Sequence, residues 1–239
     1  MFGRPHMEEK TEFSERRMGQ GTCPRVPQKK GEEIMSTKKI EVPYIDQTAS
    51  WPTGCESVSS VMLLQFLGLD IGVDEFVSFL PKYPVCKENN VWIGGDPSQY
   101  FIGTPEDPDS FGCYAPVISS VLNEIFRQRN LPWKAKNVSA LSTDTLLSTF
   151  IDHNIPVIYW ATIDLLEHRE GPVWKLYSED GASFQWRSNE HCMLLTGYDG
   201  PDLQFNDPWH DHGVIMYDRE LTERRHREMY SMAVSVEPF

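Results

Sequence analysis

One cysteine of this sequence stands where a helix is expected to begin. Cys55 follows Gly54 directly, and apolar residues fill most positions from there to Gly68. This pattern predicts a helix that is buried on nearly all sides and ends at Gly68. A thiol in the first turn of a helix lies at the positive end of the helix dipole, which favours the thiolate form. Cys55 is therefore a candidate nucleophile, although a cysteine taken alone is more often just a small buried residue.

A histidine and an aspartate stand on two segments that are expected to form a β-hairpin. The first strand covers residues 191–198 and the second covers 202–207, with a turn at 199–201. The start of the first strand then lies beside the end of the second, so His191 and Asp207 become neighbours. Because side chains alternate between faces, the two share a face only if the loop has an odd number of residues or a bulge interrupts a strand. We predict one of these two arrangements.

Cysteine, histidine and aspartate in this order supply the parts that thiol catalysis needs. The imidazole of His191 would take the thiol proton of Cys55 and later protonate a leaving amine, while Asp207 fixes the tautomer and orientation of the ring. Gln47 lies on the loop that leads to the helix, and its amide N–H is a candidate donor to a tetrahedral oxyanion. These residues predict an enzyme that hydrolyses a peptide or amide bond through a thioester at Cys55.

The sequence resembles papain-fold cysteine peptidases of the bacteriocin-processing, double-glycine-leader peptidase-like group. The matching motifs spread over nearly all of residues 40–236. They are VPYIDQ at 42–47, GCE at 54–56, GGDP at 94–97, YAP at 114–116, IPVI at 155–158, the stretch 191–199 and NDPW at 206–209.

This resemblance implies roles for four residues and a fold. Cys55 would be the nucleophile, His191 the general base and acid, Asp207 the orienting residue and Gln47 the oxyanion donor. The fold would be an α+β papain-like domain, with the cysteine helix packed on an antiparallel sheet that carries the histidine and the aspartate. No cofactor and no metal are implied.

Composition and charge narrow the remaining possibilities. The chain has 239 residues, enough for one domain, which we expect over 39–239 after a disordered or non-native extension at 1–38. Its net charge of −13 disfavours nucleic acid as a partner. The thiol chemistry described above leads us to expect a peptide or protein substrate instead. No apolar run is long enough to span a membrane, and no signal peptide is evident, which predicts a cytoplasmic protein. The five cysteines show no CxxC spacing, which argues against a structural zinc site; a disulfide such as Cys86–Cys113 is left open.

Further elements follow from periodicity and turn signals. Residues 81–116 read as a long loop rich in proline, glycine and aromatic rings, which is typical of a functional loop. We expect helices at 73–80, 115–129, 142–153 and 218–229, strands at 40–45, 156–160, 213–217 and 231–236, and a hairpin within 164–190.

Substrate contacts are expected on both sides of the candidate nucleophile. Trp209 would cover the contact between the histidine and the aspartate, and Trp51 would line the cleft, although packing explains either tryptophan equally well. In the long loop, the candidates for substrate binding are Gly95, Asp96 and Tyr100.

Three alternatives remain open from the sequence. A transglutaminase-like acyl transferase uses the same residue types but passes the acyl group to an amine instead of water. A non-catalytic peptide-binding module could keep the fold without the chemistry. Finally, His210 and His212 could share a metal ion, whereas Asp211 between them would point to the other face of a strand.

Overall fold

The computed structural model describes residues 36–177 and 181–239, so most of the predicted extension at 1–38 lies outside the described residues. The helices are α1 Cys55–Phe66, α2 Val73–Ser78, α3 Ala115–Gln128, α4 Thr143–Thr149 and α5 Arg219–Glu228. The strands are β1 Thr37–Lys39, β2 Lys82–Tyr83, β3 Cys86–Glu88, β4 Val91–Gly94, β5 Phe101–Ile102, β6 Trp133–Asn137, β7 Val157–Thr162, β8 Arg169–Leu176, β9 Ser183–Ser188, β10 Glu190–Asp199, β11 Asp202–Asp207, β12 Gly213–Asp218 and β13 Ala233–Pro238.

A seven-stranded sheet organises the fold. Its strand order is β12-β11-β10-β7-β13-β6, and β1 pairs with β10 outside this path. All of these strand pairs are antiparallel. The mixture of helices with an antiparallel sheet is the α+β class that the sequence predicts.

Helices cover both faces of this sheet because its central strands are apolar on both sides. Along β7, Ile158 and Trp160 join the core that contains α1 and α3. Val157 and Tyr159 join a second core, which contains α4. This division follows from the alternation of side chains along a strand. It explains why residues 156–160 read as a continuous apolar run.

The α1 helix is buried on nearly all sides, as its composition predicts. Its apolar residues from Val58 to Leu64 have no solvent exposure. Two buried serines find partners inside the protein. Ser60 donates to the Glu56 carbonyl at 2.6 Å, and Ser59 donates to the Cys192 carbonyl on β10 at 3.2 Å. The helix is therefore fixed directly against the strand that carries the candidate histidine.

The segment 81–116 differs from the predicted loop. It contains four short strands, of which β2 and β5 pair in parallel, while β3 and β4 join β8 and β9 in a separate four-stranded sheet. Strands of two to four residues are too short to show a period of two, so the sequence pattern does not reveal them. The hairpin expected within 164–190 is confirmed as β8 and β9.

Three other expectations change in detail. The first strand lies at Thr37–Lys39 rather than at 40–45, where Pro43 cannot donate to a ladder. The helix expected over 142–153 ends at Thr149, and a separate 3₁₀ turn closes at Asn154 in the left-handed conformation. The edge strand β6 lies outside the expected elements, because only Ala135 is buried and three of the other four residues are exposed and polar.

The remaining helices and strands fall within a few residues of their expected bounds. Among the helices of the described residues, none is both long and apolar enough to cross a membrane.

Candidate active site

A bulge in the β10–β11 hairpin sets the faces of its side chains. Asp199 pairs with Asp202 across a two-residue turn, and the register shifts between Leu195 and Gly197. The extra residue is Thr196, whose hydroxyl donates to the Gln204 carbonyl at 3.3 Å. The expected bulge is thus present, whereas the three-residue loop is not.

The hairpin brings a buried histidine and aspartate together. Nε2 of His191 lies 2.6 Å from Oδ1 of Asp207, and each residue is 1% exposed. The aspartate accepts further hydrogen bonds from the Trp209 backbone N–H, the Tyr217 hydroxyl and Nδ1 of His212. Burial by itself raises the pKa of Asp207, but the neighbouring histidines and these donors hold it well below its usual range. Asp207 is therefore a fixed carboxylate at neutral pH.

The contact between His191 and Asp207 determines which ring nitrogen of the histidine can act as a base. Nε2 of His191 is occupied by Asp207, so Nδ1 is the nitrogen that can exchange a proton with a group in the cleft. The Trp209 ring meets the His191 ring edge-on, with centroids 6.3 Å apart. Trp209 thus shields the buried pair on one side.

The candidate nucleophile is the first residue of α1. Cys55 is 5% exposed, and its sulfur donates to Oε2 of Glu56 at 3.4 Å. Burial, followed by the nearby Glu56 and Glu190, raises the pKa of this thiol well above its usual value. The helix dipole alone predicts the opposite direction, so burial of the thiol, together with the nearby carboxyl groups, outweighs it. Among the hydrogen bonds of the described residues, none joins Cys55 to His191.

Two glutamates lie behind the thiol. Oε1 of Glu56 accepts the Cys113 backbone N–H at 2.6 Å, and burial raises the pKa of this carboxyl to about 7. Burial and the charge of Glu56 also raise the pKa of Glu190. From the sequence alone, Glu56 at the start of α1 would be no more than a partner for the helix dipole, and Glu190 has no assigned role. One feature of the sequence could have predicted a buried carboxyl group: Glu56 is an acidic residue at the start of a helix that is apolar on nearly all sides.

The three acidic side chains of this cluster lie close together. Cys55, Glu56 and Glu190 each offer an atom, and these atoms lie within 4.8 Å of one another. The metal site considered for His210 and His212 is not formed: within residues 36–177 and 181–239, neither histidine belongs to a group of three clustered ligand side chains. His212 bonds Asp207 instead, and His210 lies in a turn with φ of 49°.

Gln47 is held beside the start of α1. It is 1% exposed, its Nε2 donates to the Pro52 carbonyl at 3.1 Å, and its backbone N–H donates to the Pro208 carbonyl at 2.9 Å. The second bond ties this loop to the residue that follows Asp207. The chain then turns into α1 at Gly54, where a Cβ atom would lie 2.8 Å from Cβ of Trp51. A side chain at Gly54 would therefore displace the approach to Cys55.

A cavity of about 320 Å³ joins these groups. Its walls include Gln47, Cys55, Glu190, His191 and Trp209, with Phe111 and Trp186 as aromatic sides. The structure therefore places the candidate nucleophile, base and oxyanion donor on one cleft, with Asp207 behind His191.

The other residues predicted to bind substrate lie outside the lining of this cavity. The Trp51 indole donates to Asp74 at 2.9 Å, and the Gly95 carbonyl accepts the Trp174 indole N–H at 2.9 Å. Asp96 accepts the Ser98 backbone N–H, and the Tyr100 ring packs on Tyr83. These contacts hold the segment around β4 and β5 in place.

A cysteine at a helix start, set in a cleft against an antiparallel sheet that carries a buried His–Asp pair, defines the papain-like α+β fold. The chain belongs to the Peptidase_C39 like family, whose family model matches residues 39–234. The family resemblance stated from the motifs is therefore confirmed.

Individual relatives are distant in sequence. The uncharacterized protein YvpB of Bacillus subtilis (strain 168) is 22% identical over 184 residues, which cover 77% of this chain and 69% of YvpB. A crystal structure described as a putative C39-like peptidase from Bacillus anthracis superposes with a TM-score of 0.73 at 22% identity, covering 85% of this chain and 98% of the other. A double glycine motif protease from an AMS/PCAT transporter, solved with its leader peptide, gives a TM-score of 0.48 at 15% identity, with 84% and 95% coverage.

Proposed function

We propose that this protein is a cysteine peptidase or amidase that hydrolyses its substrate through a thioester at Cys55. The observation that carries the proposal is the buried 2.6 Å contact between His191 and Asp207 on the wall of the cleft that also holds Cys55. A histidine fixed by a permanent carboxylate is a general base whose tautomer is already selected. Membership of a family of peptidase-like proteins supports the same chemistry.

The proposed reaction begins with proton transfer from the thiol. Nδ1 of His191 takes the Cys55 proton, and the sulfur attacks the carbonyl carbon of the substrate, so that a C–S bond forms and the carbonyl oxygen becomes an oxyanion. His191 then returns the proton to the leaving amine as the C–N bond breaks. Water, deprotonated by the same histidine, releases the acid from the thioester and restores the thiol.

Two N–H groups are suited to stabilise the oxyanion. The backbone N–H of Cys55 is one of the free donors at the start of α1. The amide of Gln47 has two hydrogens, and the Pro52 carbonyl takes one of them. The second N–H is left for the oxyanion, in an environment where burial strengthens the interaction.

The thiol must leave Glu56 before it can react. In the structure its hydrogen bond goes to that carboxyl group, so a rotation of the Cys55 side chain toward His191 precedes the transfer of the proton. Catalytic geometry in a protein without substrate is commonly looser than in the complex. This rotation is part of the proposed mechanism.

A peptide-library digest tests the proposal. The wild-type protein, Cys55→Ala and His191→Ala are incubated with the library, and new termini are identified by mass spectrometry. Cys86→Ala is the matched control, because this cysteine lies outside the cleft lining. We expect cleavage by the wild-type protein and the control, and a loss of roughly a hundredfold or more in both cleft variants.

The same digest separates the alternatives. Products joined to an added amine, in place of free acids, would identify an acyl transferase. Cleavage that persists in Cys55→Ala would reject the thioester. A wild-type protein that binds library peptides without cutting them, and whose Cys55 is alkylated no faster than Cys86, would instead be a non-catalytic binding module.

A further inference from the structure

The two buried glutamates behind Cys55 have no part in the mechanism above. Oxygen atoms of Glu56 and Glu190 lie within 4.8 Å of each other and of the Cys55 sulfur. In the described part of the chain, neither glutamate forms a salt bridge with a lysine or arginine. Buried carboxyl groups that lack a cation are rare, because charging them in a low-dielectric site is costly.

The surroundings of the two carboxyl groups indicate which of them holds a proton and which carries the negative charge. Glu56 is the carboxyl group better suited to carry the charge, since its Oε1 accepts a short hydrogen bond from the Cys113 backbone N–H. Glu190 has one oxygen, Oε1, without a hydrogen-bond partner among the described residues. Two carboxyl groups this close cannot both ionise easily, so the pair holds one proton, with the remaining negative charge mainly on Glu56.

Other titratable groups also face this pair. Cys55 belongs to α1, Cys113 and Tyr114 to the segment before α3, and His191 and Cys192 to β10. The two additional cysteines are fully buried. His191 also lies near Glu56, and its Nε2 is engaged by Asp207. The carboxyl oxygen that the Cys55 sulfur contacts belongs to Glu56, at 3.4 Å.

We propose that Glu56 and Glu190 form a buried acid pair that keeps Cys55 in its thiol form in the free protein. Glu56 acts as the positioning residue, because it accepts the S–H hydrogen and its negative charge opposes a second charge on sulfur. A thiol held in this way resists alkylation and oxidation, since both reactions proceed through the thiolate. The inference rests on the proposed role of Cys55 as nucleophile, but its test requires no turnover.

Backbone packing keeps the pair in place. Gly112 precedes Cys113, and a Cβ atom at this position would lie 2.5 Å from Oε1 of Glu56 and 3.2 Å from Oε2 of Glu190. The Trp160 indole donates to the Cys113 carbonyl of the same segment at 3.3 Å. The segment at 112–113 therefore closes over both carboxyl groups.

The experiment measures the rate of Cys55 alkylation by iodoacetamide in the full chain, from about pH 6 to pH 10, in the presence of EDTA. Modification is quantified on the Cys55-containing peptide by mass spectrometry, so other cysteines do not interfere. Glu56→Gln keeps a hydrogen-bond acceptor but removes the charge. We expect the midpoint of its alkylation profile to move roughly one pH unit or more toward acid.

The control is Glu88→Gln. This exposed glutamate lies 4.0 Å from the sulfur of Cys86, which reproduces the thiol–carboxyl contact on the surface. It should leave the Cys55 profile unchanged. An unshifted midpoint in a folded Glu56→Gln protein, or an equal shift in the control, overturns the proposal. Either result would leave peptide hydrolysis by Cys55 as a separate question, which the Cys55→Ala digest answers.

A second measurement covers the case in which Glu56→Gln does not fold. Infrared spectroscopy of the wild-type protein at neutral pH should show the carbonyl stretch of a protonated carboxyl group, and this band should weaken in Glu190→Gln. Exposed carboxyl groups are ionised at this pH and give no such band. A wild-type spectrum without the band would show that no shared proton exists, and the acid pair would be rejected.

Discussion

The contact between His191 and Asp207 is the interaction on which the proposed chemistry depends most directly. It is buried, it fixes the ring nitrogen that faces the cleft, and it is reinforced by three further donors to the aspartate. His212 and Tyr217 are two of these donors. They hold Asp207, and through it they orient the base.

A substitution at the aspartate tests this orientation. Asp207→Asn keeps the size of the side chain but offers an N–H where His191 also donates, so the ring loses its selected tautomer. We expect kcat/KM for peptide cleavage to fall roughly a hundredfold, mainly through kcat. Steady-state kinetics on a peptide identified by the library digest provide the measurement.

Asp202→Asn is the matched control for this substitution. It lies on the same strand, at the turn end of the hairpin, away from the cleft lining. Its kcat/KM should equal that of the wild-type protein. Equal activity in Asp207→Asn would show that the buried contact serves folding alone.

At the scale of secondary-structure elements, α5 is attached to the sheet by a buried histidine. His226 is 3% exposed, its Nδ1 lies 2.7 Å from the Trp160 carbonyl, and its ring stacks on Tyr159. Burial lowers the pKa of His226 to about 4. The side chain is therefore neutral in the folded protein at neutral pH.

This histidine makes stability depend on pH. Between its usual pKa and the folded value, the unfolded chain binds a proton that the folded protein does not, so stability falls as the pH falls through this window. From pH 7 to pH 5 the loss is about 2 kcal/mol. Urea unfolding at both pH values should show a smaller loss in His226→Phe than in the wild-type protein. The control is His153→Phe, at an exposed histidine, which should lose as much stability as the wild-type protein. If His226→Phe also lost as much between pH 7 and pH 5, protonation of His226 would be excluded as the cause of the pH dependence.

The antiparallel pairing of β1 with β10 is a second feature at the scale of secondary-structure elements. Gly197 pairs with Lys39 on β1, and a Cβ atom at Gly197 would overlap the Lys38 carbonyl oxygen. Gly197→Ala should therefore push β1 away from the hairpin and reduce the free energy of unfolding by about 1–3 kcal/mol. Chemical denaturation measures this change.

Gly72→Ala is the control for that substitution. Among the described residues, no atom beyond the chain neighbours lies within 4 Å of a Cβ built there, and the backbone conformation suits any residue. Its stability should stay within about 0.5 kcal/mol of the wild-type value. If both variants were equally stable, close packing of β1 on β10 would not contribute to stability.

For the whole molecule, the dominant property is its net charge of −13. A field of this sign attracts cationic substrates, and added salt screens it. For two peptides that differ only in having lysines or glutamines beside the cleaved bond, kcat/KM for the lysine peptide should fall several-fold between low and moderate salt. The glutamine peptide should change little. Equal salt dependence of the two peptides would exclude electrostatic steering.

The fold class and the candidate residues could be predicted because they depend on local patterns. Apolar residues around Cys55 predict a buried helix, and alternating strands around a turn predict the hairpin. The pairing rule of that hairpin even required a bulge or an odd loop, and the structure has the bulge at Thr196. In contrast, the short strands within 81–116 could not be predicted, since their pairing partners β8 and β9 lie far along the chain.

The sequence by itself determined which residue types are present and on which elements they stand: a cysteine at a helix start, and a histidine and an aspartate on one hairpin. Tertiary structure decided the environment of the thiol. Glu56 and Glu190 are far apart in sequence but meet behind Cys55. Burial raises the pKa of all three groups, and the charge of Glu56 raises the pKa of Cys55 and of Glu190 further. No local pattern predicts this, because desolvation and charge proximity depend on which distant segments close over a side chain.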